Sequence, residues 1–328
     1  MAESQFPSFV ISLDFELLWG VRDNKLSISN YRKNILGERQ AIPAMLNIFR
    51  KYHVHATWAT VGLLLFDNKK EMLEYLPERR PKYANRSFDP YLDLGKVGTS
   101  EATDPYHYGF SLARQIIEFE GMEIGTHTFS HYYCLERGQD ESTFHSDLIA
   151  AISATERLGV RPRSLVFPRN QYNSNYLRVC RELGITCFRG NESNWMHRAA
   201  SKEDSSIARR ACRLADAYLD LSGHNGFKPS LVEGLINIPS SRFLRPFDFR
   251  LRRLEGIRLS RIKTAMTAAA ESGCGFHLWW HPHNFGLSLD RNLENLAELL
   301  AHFARLRDRH GMESLNMGEY AARHAGSA

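Results

Sequence analysis

The sequence predicts an α/β protein, a parallel sheet with helices outside it, open or closed into a barrel. Three observations predict it. Strand-like and helix-like segments alternate along almost the whole chain. The chain has 328 residues, 43% of them hydrophobic, enough for one large core. Its first strand-like segment is apolar on one face and turns polar on the other only toward its C-terminal end.

Phe9 to Leu17 reads as that strand, followed by a helix from Gln40 to Tyr52 with Pro43 near its first turn, a strand from Val54 to Thr60 and a helix from Gly62 to Leu76. Residues 77–106, rich in Pro, Gly, Asp and Tyr, read as an irregular insertion. Beyond them come helix Leu112 to Glu120, strand Met122 to Gly125, helix 140–158, strand Ser164 to Phe167, helix 174–183 and strand Ile185 to Phe188. Helix 201–220, strand Leu235 to Ile238, helix 260–272, strand Gly275 to Trp280 and helix 290–309 complete the series. No repeat or low-complexity linker divides it, so we expect one domain over residues 1–328.

Composition narrows the partners. The formal net charge is only +5, and no RNA- or DNA-binding motif is present, so nucleic acid is not expected as a partner. Basic residues do cluster, as Arg209-Arg210 with Arg213 and as Arg250 with Arg252 and Arg253. Such runs are commonly solvated helix faces, and the alternative is a patch for anionic lipid, phosphate or nucleotide sugar. The five cysteines are odd in number, scattered and without a CxxC pair, which points to reduced thiols and a cytoplasmic location. The stretch MAESQFPSF lacks the features of a secretory signal, and no segment is apolar and long enough to span a bilayer. Peripheral membrane contact stays open.

On the first strand, Val10, Ser12, Asp14 and Glu16 share one face, so the two carboxylates project together where parallel α/β folds place their chemistry. Otherwise they are two solvated acids. His127 and His131 follow strand MEIG in HTFSH; on one helical turn, positions i and i+4 face the same way and reach one ion. Spacing alone is weak, because 14 histidines in 328 residues give about 0.6 such pairs by chance, and His277 with His281 is another. Position at a strand-to-helix junction is the stronger argument. Two histidines with one carboxylate make a plausible open zinc site. His53 and His55 form the His-X-His pattern of some metallohydrolases, but they open their strand rather than close it, and we read them as structural. Pro282 ends the last strand, leaving His281 at a strand end as a candidate acid or base, or as an ordinary histidine. Of Trp279 and Trp280, at least one is expected in the core.

Taken in order, Asp14-Phe-Glu16, HTFSH, Phe167-Pro-Arg169-Asn-Gln171 and Trp280-His281 resemble the motifs of the NodB-homology polysaccharide deacetylases. HATWATVG is similar to that family's second strand and MGEYAARH to its closing segment, so the resemblance runs from about residue 8 to about residue 324. It implies a distorted (β/α) barrel of about seven strands and a divalent metal, most commonly Zn²⁺, held by Glu16, His127 and His131. It further implies Asp14 as base, His281 as acid and Arg169 as the partner of the base. A backbone N–H near Gln171 or Tyr172 would then steady the oxyanion. The implied activity is metal-dependent N-deacetylation of a carbohydrate, in bacterial surface-polysaccharide or lipopolysaccharide biosynthesis.

Three departures stand out. Phe15 separates Asp14 from Glu16 where the family has adjacent aspartates, so the two roles could be exchanged. Pro168 separates Phe167 from Arg169. Asn191-Glu192-Ser193-Asn194-Trp195 stands where aspartates usually precede a tryptophan, leaving the group that orients His281 open. The insertion at 77–106 is long for the family and is expected to shape substrate choice. The rival readings are a metal-independent acid-pair glycoside hydrolase using Asp14 with Glu16 or Glu192, and a non-catalytic carbohydrate-binding protein on the same fold.

Overall fold

The structure, a computed structural model, describes residues 6–23, 28–192, 194–199, 201 and 207–324, with side chains described from residue 31 in the first helix. The strands are β1 (Ser8–Phe15), β2 (Ala56–Thr60), β3 (Met122–Thr126), β4 (Ser164–Leu165), β5 (Cys187–Phe188), β6 (Ser230–Val232), β7 (Leu235–Asn237), β8 (Arg242–Phe243), β9 (Gly275–Trp280) and β10 (Glu313–Leu315). The helices are α1 (Ile28–Tyr52), α2 (Lys69–Glu74), α3 (Phe110–Ile117), α4 (Glu141–Glu156), α5 (Ser174–Glu182), α6 (Ile207–Asp216), α7 (Glu255–Glu271), α8 (Leu289–His310) and α9 (Met317–His324).

All ten strands form one sheet in the order β6-β7-β5-β4-β3-β2-β1-β9-β8, with β10 also on β1. Every pairing is parallel except the β6–β7 hairpin. This is a curled half-barrel in which β8 and β6 do not pair among the described residues; ten strands, several of only two or three residues, replace the expected seven or so.

β1 is buried along its whole length. Its outward residues Phe9, Ile11, Leu13 and Phe15 join the large core beneath the helices. Inward, Val10 joins a small plug with Ala59, Val166, Ile236, Leu315, Met317 and Tyr320, closed from below by α9. Above that plug the inner face becomes polar, through Ser12 to Asp14. β9 repeats the alternation: Phe276, Leu278 and Trp280 enter the outer core while His277 faces inward.

Two elements differ instructively from the sequence reading. The first long helix starts at Ile28, not Gln40, so Pro43 lies inside it. Gly37, inside the added turns, serves packing: a Cβ there would lie 2.2 Å from the Gly286 carbonyl oxygen. A Cβ on Gly286 would in turn lie 2.0 Å from the Asn34 carbonyl. α1 and the 282–286 turn thus touch backbone to backbone. The segment 62–76 holds a 3₁₀ turn (Gly62–Leu64) and the short α2 rather than one helix.

A glycine-to-alanine change inside a helix normally stabilises by about 1 kcal/mol. Gly37→Ala is expected to do the reverse and cost about 1–3 kcal/mol through forced separation of the two backbones. Denaturant unfolding checks this; an unchanged or raised midpoint would refute the close packing.

Candidate active site

Four groups come to one rim because β1, β3 and β5 end at one level and β9 ends two residues below it. Glu16 is the first residue after β1, His127 after β3, Arg189 after β5 and His281 after β9. Together with Asp14 and His131 they surround or support one cavity of about 600 Å³, also lined by Arg169, Gln171 and Trp279.

Glu16 Oε2 lies 3.4 Å from His127 Nε2 and 3.0 Å from His131 Nε2. A tetrahedral ion about 2.0–2.2 Å from its ligands separates them by roughly 3.3–3.6 Å, so these atoms are spaced for one metal. Each imidazole is turned by its other nitrogen: His127 Nδ1 donates to the Val166 carbonyl at 2.7 Å, and His131 Nδ1 meets the Tyr133 hydroxyl at 3.2 Å. These contacts direct both Nε2 atoms at the carboxylate. Burial pushes the His131 pKa down to about 4, keeping a lone pair available. Burial works against charge on Glu16 as well, but His281, His127 and His131 outweigh it and hold the carboxyl well below its ordinary range. A carboxylate held low in pKa beside two buried imidazole nitrogens is a donor set that suits a divalent cation.

Local backbone builds this arrangement. HTFSH is not the helical turn expected from its spacing. It is a tight loop in which Thr128 has φ 64° and His131 φ 56°, and α4 starts only at Glu141. The loop is held from several sides. Asp147 on α4 accepts the Phe129 N–H at 2.8 Å and the Ser130 hydroxyl; Thr128 Oγ1 accepts the Tyr132 N–H at 2.7 Å. The insertion contributes too, with the Tyr83 hydroxyl accepting the Tyr133 N–H at 2.9 Å. No residue of 77–106 lines the cavity, so the insertion buttresses the histidine loop rather than facing substrate there. On the other side, the Glu16 carboxylate lies directly over Gly20, where a Cβ would fall 1.9 Å from Glu16 Cδ.

Asp14 occupies a different environment. Arg189 grips both its oxygens, at 2.6 and 2.8 Å. The Arg189 guanidinium also donates to Ser12 Oγ and Asn170 Oδ1, each at 3.0 Å, and lies 4.1 Å over the Trp279 ring. Burial raises the Asp14 pKa and Arg189 lowers it further than that, leaving the carboxyl ionised. The sequence reading placed Arg169 in this role, and that is corrected. Pro168 and the left-handed Arg169 and Asn170 carry the chain away from Asp14. Arg169 instead pairs with Asp23 and, at 3.5 Å, Glu136, and lies 4.2 Å over Tyr133. Arg189 carried a sequence signal that went unused: it directly follows the predicted strand Ile185 to Phe188. The Gln171 N–H is likewise committed, to the Pro168 carbonyl at 3.1 Å, and is not free for an oxyanion.

His281 Nε2 stands 3.7 Å from Asp14 Oδ2 and 3.6 Å from Glu16 Oε1, and its side chain keeps 25% exposure toward the cavity. His283, two residues on, is buried behind His281 and does not line the cavity, although its Nδ1 lies 3.9 Å from Glu16 Oε1; burial pushes its pKa to about 4. Trp280 belongs to the core, whereas Trp279 supports Arg189 and reaches the cavity. His55 pairs with Glu319 at 2.7 Å, the structural role expected for it. Among the described residues a second trio, Glu192, His197 and Asp216, is also close enough to share an ion. There Arg242 and Arg261 already occupy the Asp216 carboxylate.

The sequence profile of the polysaccharide deacetylase family matches residues 34–188. That segment contains both histidines of HTFSH but neither Asp14, Glu16 nor His281. No curated protein matches the chain. Among solved structures, a Mycobacterium smegmatis protein described as a polysaccharide deacetylase aligns with TM-score 0.61 and 15% identity, over 98% of this chain and 91% of its own. PuuE allantoinase aligns with TM-score 0.52 and 12% identity, over 99% and 92%. A GH57-type branching enzyme of Pyrococcus horikoshii aligns with TM-score 0.52 and 12% identity, over 97% and 70%. At these identities the likeness is one of fold.

The inner polar face makes a pH prediction. His277 Nδ1 donates to the Ile238 carbonyl at 3.1 Å, and its Nε2 meets Ser12 Oγ at 2.8 Å. With the proton of the neutral ring on Nδ1, Nε2 accepts the Ser12 hydroxyl proton, while Ser12 Oγ accepts from Arg189. Burial, reinforced by Arg189, pushes the His277 pKa from 6.5 to about 3. The unfolded chain therefore takes up a proton that the folded chain refuses, and this contribution to stability is full above about 6.5 and is lost as pH falls toward 3. His277→Gln is expected to flatten the fall in Tm between pH 6.5 and 4. Identical pH profiles for the two proteins would contradict it.

Proposed function

With residues 34–188 belonging to the polysaccharide deacetylase family, we propose that this chain hydrolyses the N-acetyl group of an amino sugar using a divalent metal held by Glu16, His127 and His131. The observation that carries the reading is the spacing and burial of that trio. Zn²⁺ is the ion best suited to two imidazoles and one carboxylate, and when bound it supplies Lewis acidity, polarising the amide carbonyl and making water more acidic.

The remaining steps belong to the chain's own residues. Asp14, ionised by Arg189 and aimed at the cavity, takes a proton from the attacking water. Arg189 fixes the direction of both Asp14 oxygens, and Ser12, Asn170 and Trp279 fix Arg189. As the C–N bond breaks, His281 gives a proton to the departing nitrogen, because an unprotonated amide nitrogen leaves very poorly. The products are acetate and a free amine. His281 Nε2 faces Asp14 Oδ2 at 3.7 Å and Glu16 Oε1 at 3.6 Å, beside both carboxylates of the site. The acid-pair glycosidase alternative fares worse: Arg189 keeps Asp14 ionised and the histidines keep Glu16 ionised, so neither is a proton donor. We extend the proposal to a cytoplasmic precursor of a bacterial surface glycan, since all five cysteines are free thiols. Recovery of the native protein from the periplasm would overturn that extension.

Acetate release from a panel of N-acetylated sugars, with and without chelator, tests the main reading; release that survives metal removal would sink it. Asp14→Asn is expected to retain metal and lose turnover, whereas Glu16→Gln loses metal. The reverse pattern would exchange their roles. His281→Ala should keep metal and lose about two to four orders of magnitude in kcat. Gly20→Ala is a subtler probe. The added methyl group displaces the Glu16 carboxylate, so bound metal falls although every ligand is still present. Full metal occupancy in Gly20→Ala would show that Glu16 is not held as described.

A further inference from the structure

The cavity that contains the metal trio has a second, strongly basic wall. Arg198, Arg209, Arg210 and Arg213 come from α6 and the segment before it, and Arg242 and Arg245 from β8 and the residues after it. Two of the six are spent on structure. Arg209 donates to the carbonyls of Met196 and Trp195, both at 3.0 Å, and Arg242 is held by Asp216. Among the described residues, no carboxylate pairs with Arg198, Arg210, Arg213 or Arg245. The acids of this wall do not balance them. Asp216 is committed to Arg242, Arg261 and Ser222. Glu192 is buried, which raises its pKa to about 8 and leaves it largely protonated at neutral pH.

Arg213 and Arg245 are the informative pair. Both are half-buried, and both guanidiniums are disfavoured by that burial; Arg213 is disfavoured further by Arg209, Arg245 and Arg210 nearby. Like charges gathered in a part-buried wall cost stability in the free protein, and an anion placed among them relieves the cost. A neutral glycan offers hydroxyls, which cannot balance charge. A single uronate offers one negative charge at one point. Several unpaired guanidiniums spread over a wall match a group with two or three negative charges and forked oxygen pairs, which is the chemistry of a phosphate or diphosphate ester. A cavity of about 600 Å³ lies within the range of pockets that enclose a drug-sized ligand, so it has space for a sugar together with such a group.

We propose that Arg210, Arg213 and Arg245 form a phosphoryl subsite, so that the substrate is an N-acetylated sugar carried on a phosphate or diphosphate ester rather than a neutral polymer. This rests on the deacetylase reading for the identity of the sugar end, but not for the binding of the anion.

The test has a binding arm and a kinetic arm. In the first, titration calorimetry follows inorganic pyrophosphate binding to chelator-treated protein, wild type and the double variant Arg213→Gln/Arg245→Gln. Binding to wild type, weakened about tenfold or more in the variant, is expected. No binding, or equal binding, overturns the subsite whatever the enzyme does. The single lysine variants Arg213→Lys and Arg245→Lys, which keep charge but lose the fork, are measured beside it in case the double variant fails to fold. In the second arm, metal-loaded protein is given a neutral chitooligosaccharide, an N-acetylhexosamine 1-phosphate, a nucleotide diphosphate sugar and a short-chain prenyl diphosphate sugar. A kcat/KM at least tenfold higher for phosphorylated substrates is expected, with the variants narrowing that ratio mainly through KM. The nucleotide and prenyl substrates identify the carrier. Preference for the neutral oligosaccharide would overturn the proposal while leaving the deacetylase reading intact. Pyrophosphate binding lost in the variant, with no acetate released from any substrate, would leave the subsite standing and remove the deacetylase reading.

Discussion

The parallel register of β1 with its neighbours is the constraint on which the site depends. Phe15 lies opposite Thr60 and Thr60 opposite Thr126, so these strands finish at a common height, while Trp280 lies opposite Leu13 and ends β9 two residues below. The next residues are Glu16, His281 and His127, and Arg189 stands in the equivalent place after β5. A one-residue slip of β1 would send Asp14 into the outer core and an aromatic side chain into the cavity. The register is protected by burial of all eight β1 residues and by the different characters of the two faces, apolar against the helices and graded from apolar to polar inside.

Within that frame two electrostatic units stand side by side without exchanging partners. Asp14, Arg189, Ser12 and His277 form a closed chain in which each polar atom of Ser12 has one assigned task. Glu16, His127 and His131 form another, whose outer contacts turn three ligand atoms toward one point. A buried arginine–carboxylate pair contributes little net stability after desolvation, and its value here is direction. It pins the carboxylate of a residue whose two neighbours in sequence, Leu13 and Phe15, lie in the core.

Much of this was legible in the sequence, for physical reasons. The two-residue period placed Asp14 and Glu16 on one face, Pro282 had to end β9, and HTFSH stood after a strand. What was not legible depends on backbone that local pattern does not encode. The i, i+4 spacing of His127 and His131 suggested a helix, but two left-handed residues bring the rings together instead. Arg169 and Arg189 are alike in composition; only the turn at Pro168–Asn170 decides which one reaches Asp14. The first turns of α1 were not legible, and the packing partner of Gly37 within them, Gly286, lies far along the chain. The short strands β6, β8 and β10 offer too few residues for any period to emerge.

The insertion of β9 between β1 and β8 has a consequence for how the protein comes into being. Ser12 and His277 are partners across 265 positions of sequence, and β1 keeps one flank unpaired until β9 arrives. During synthesis the strand made first must therefore wait for one of the last, with its backbone donors and acceptors open to any other strand it meets. A chain halted before residue 275 is not a weaker version of the whole. It has both metal-site histidines but lacks His281 and the flank that sets the register, and it carries an adhesive apolar edge. A pause in synthesis before residue 275 thus leaves this edge exposed to chaperones, proteases and aggregation.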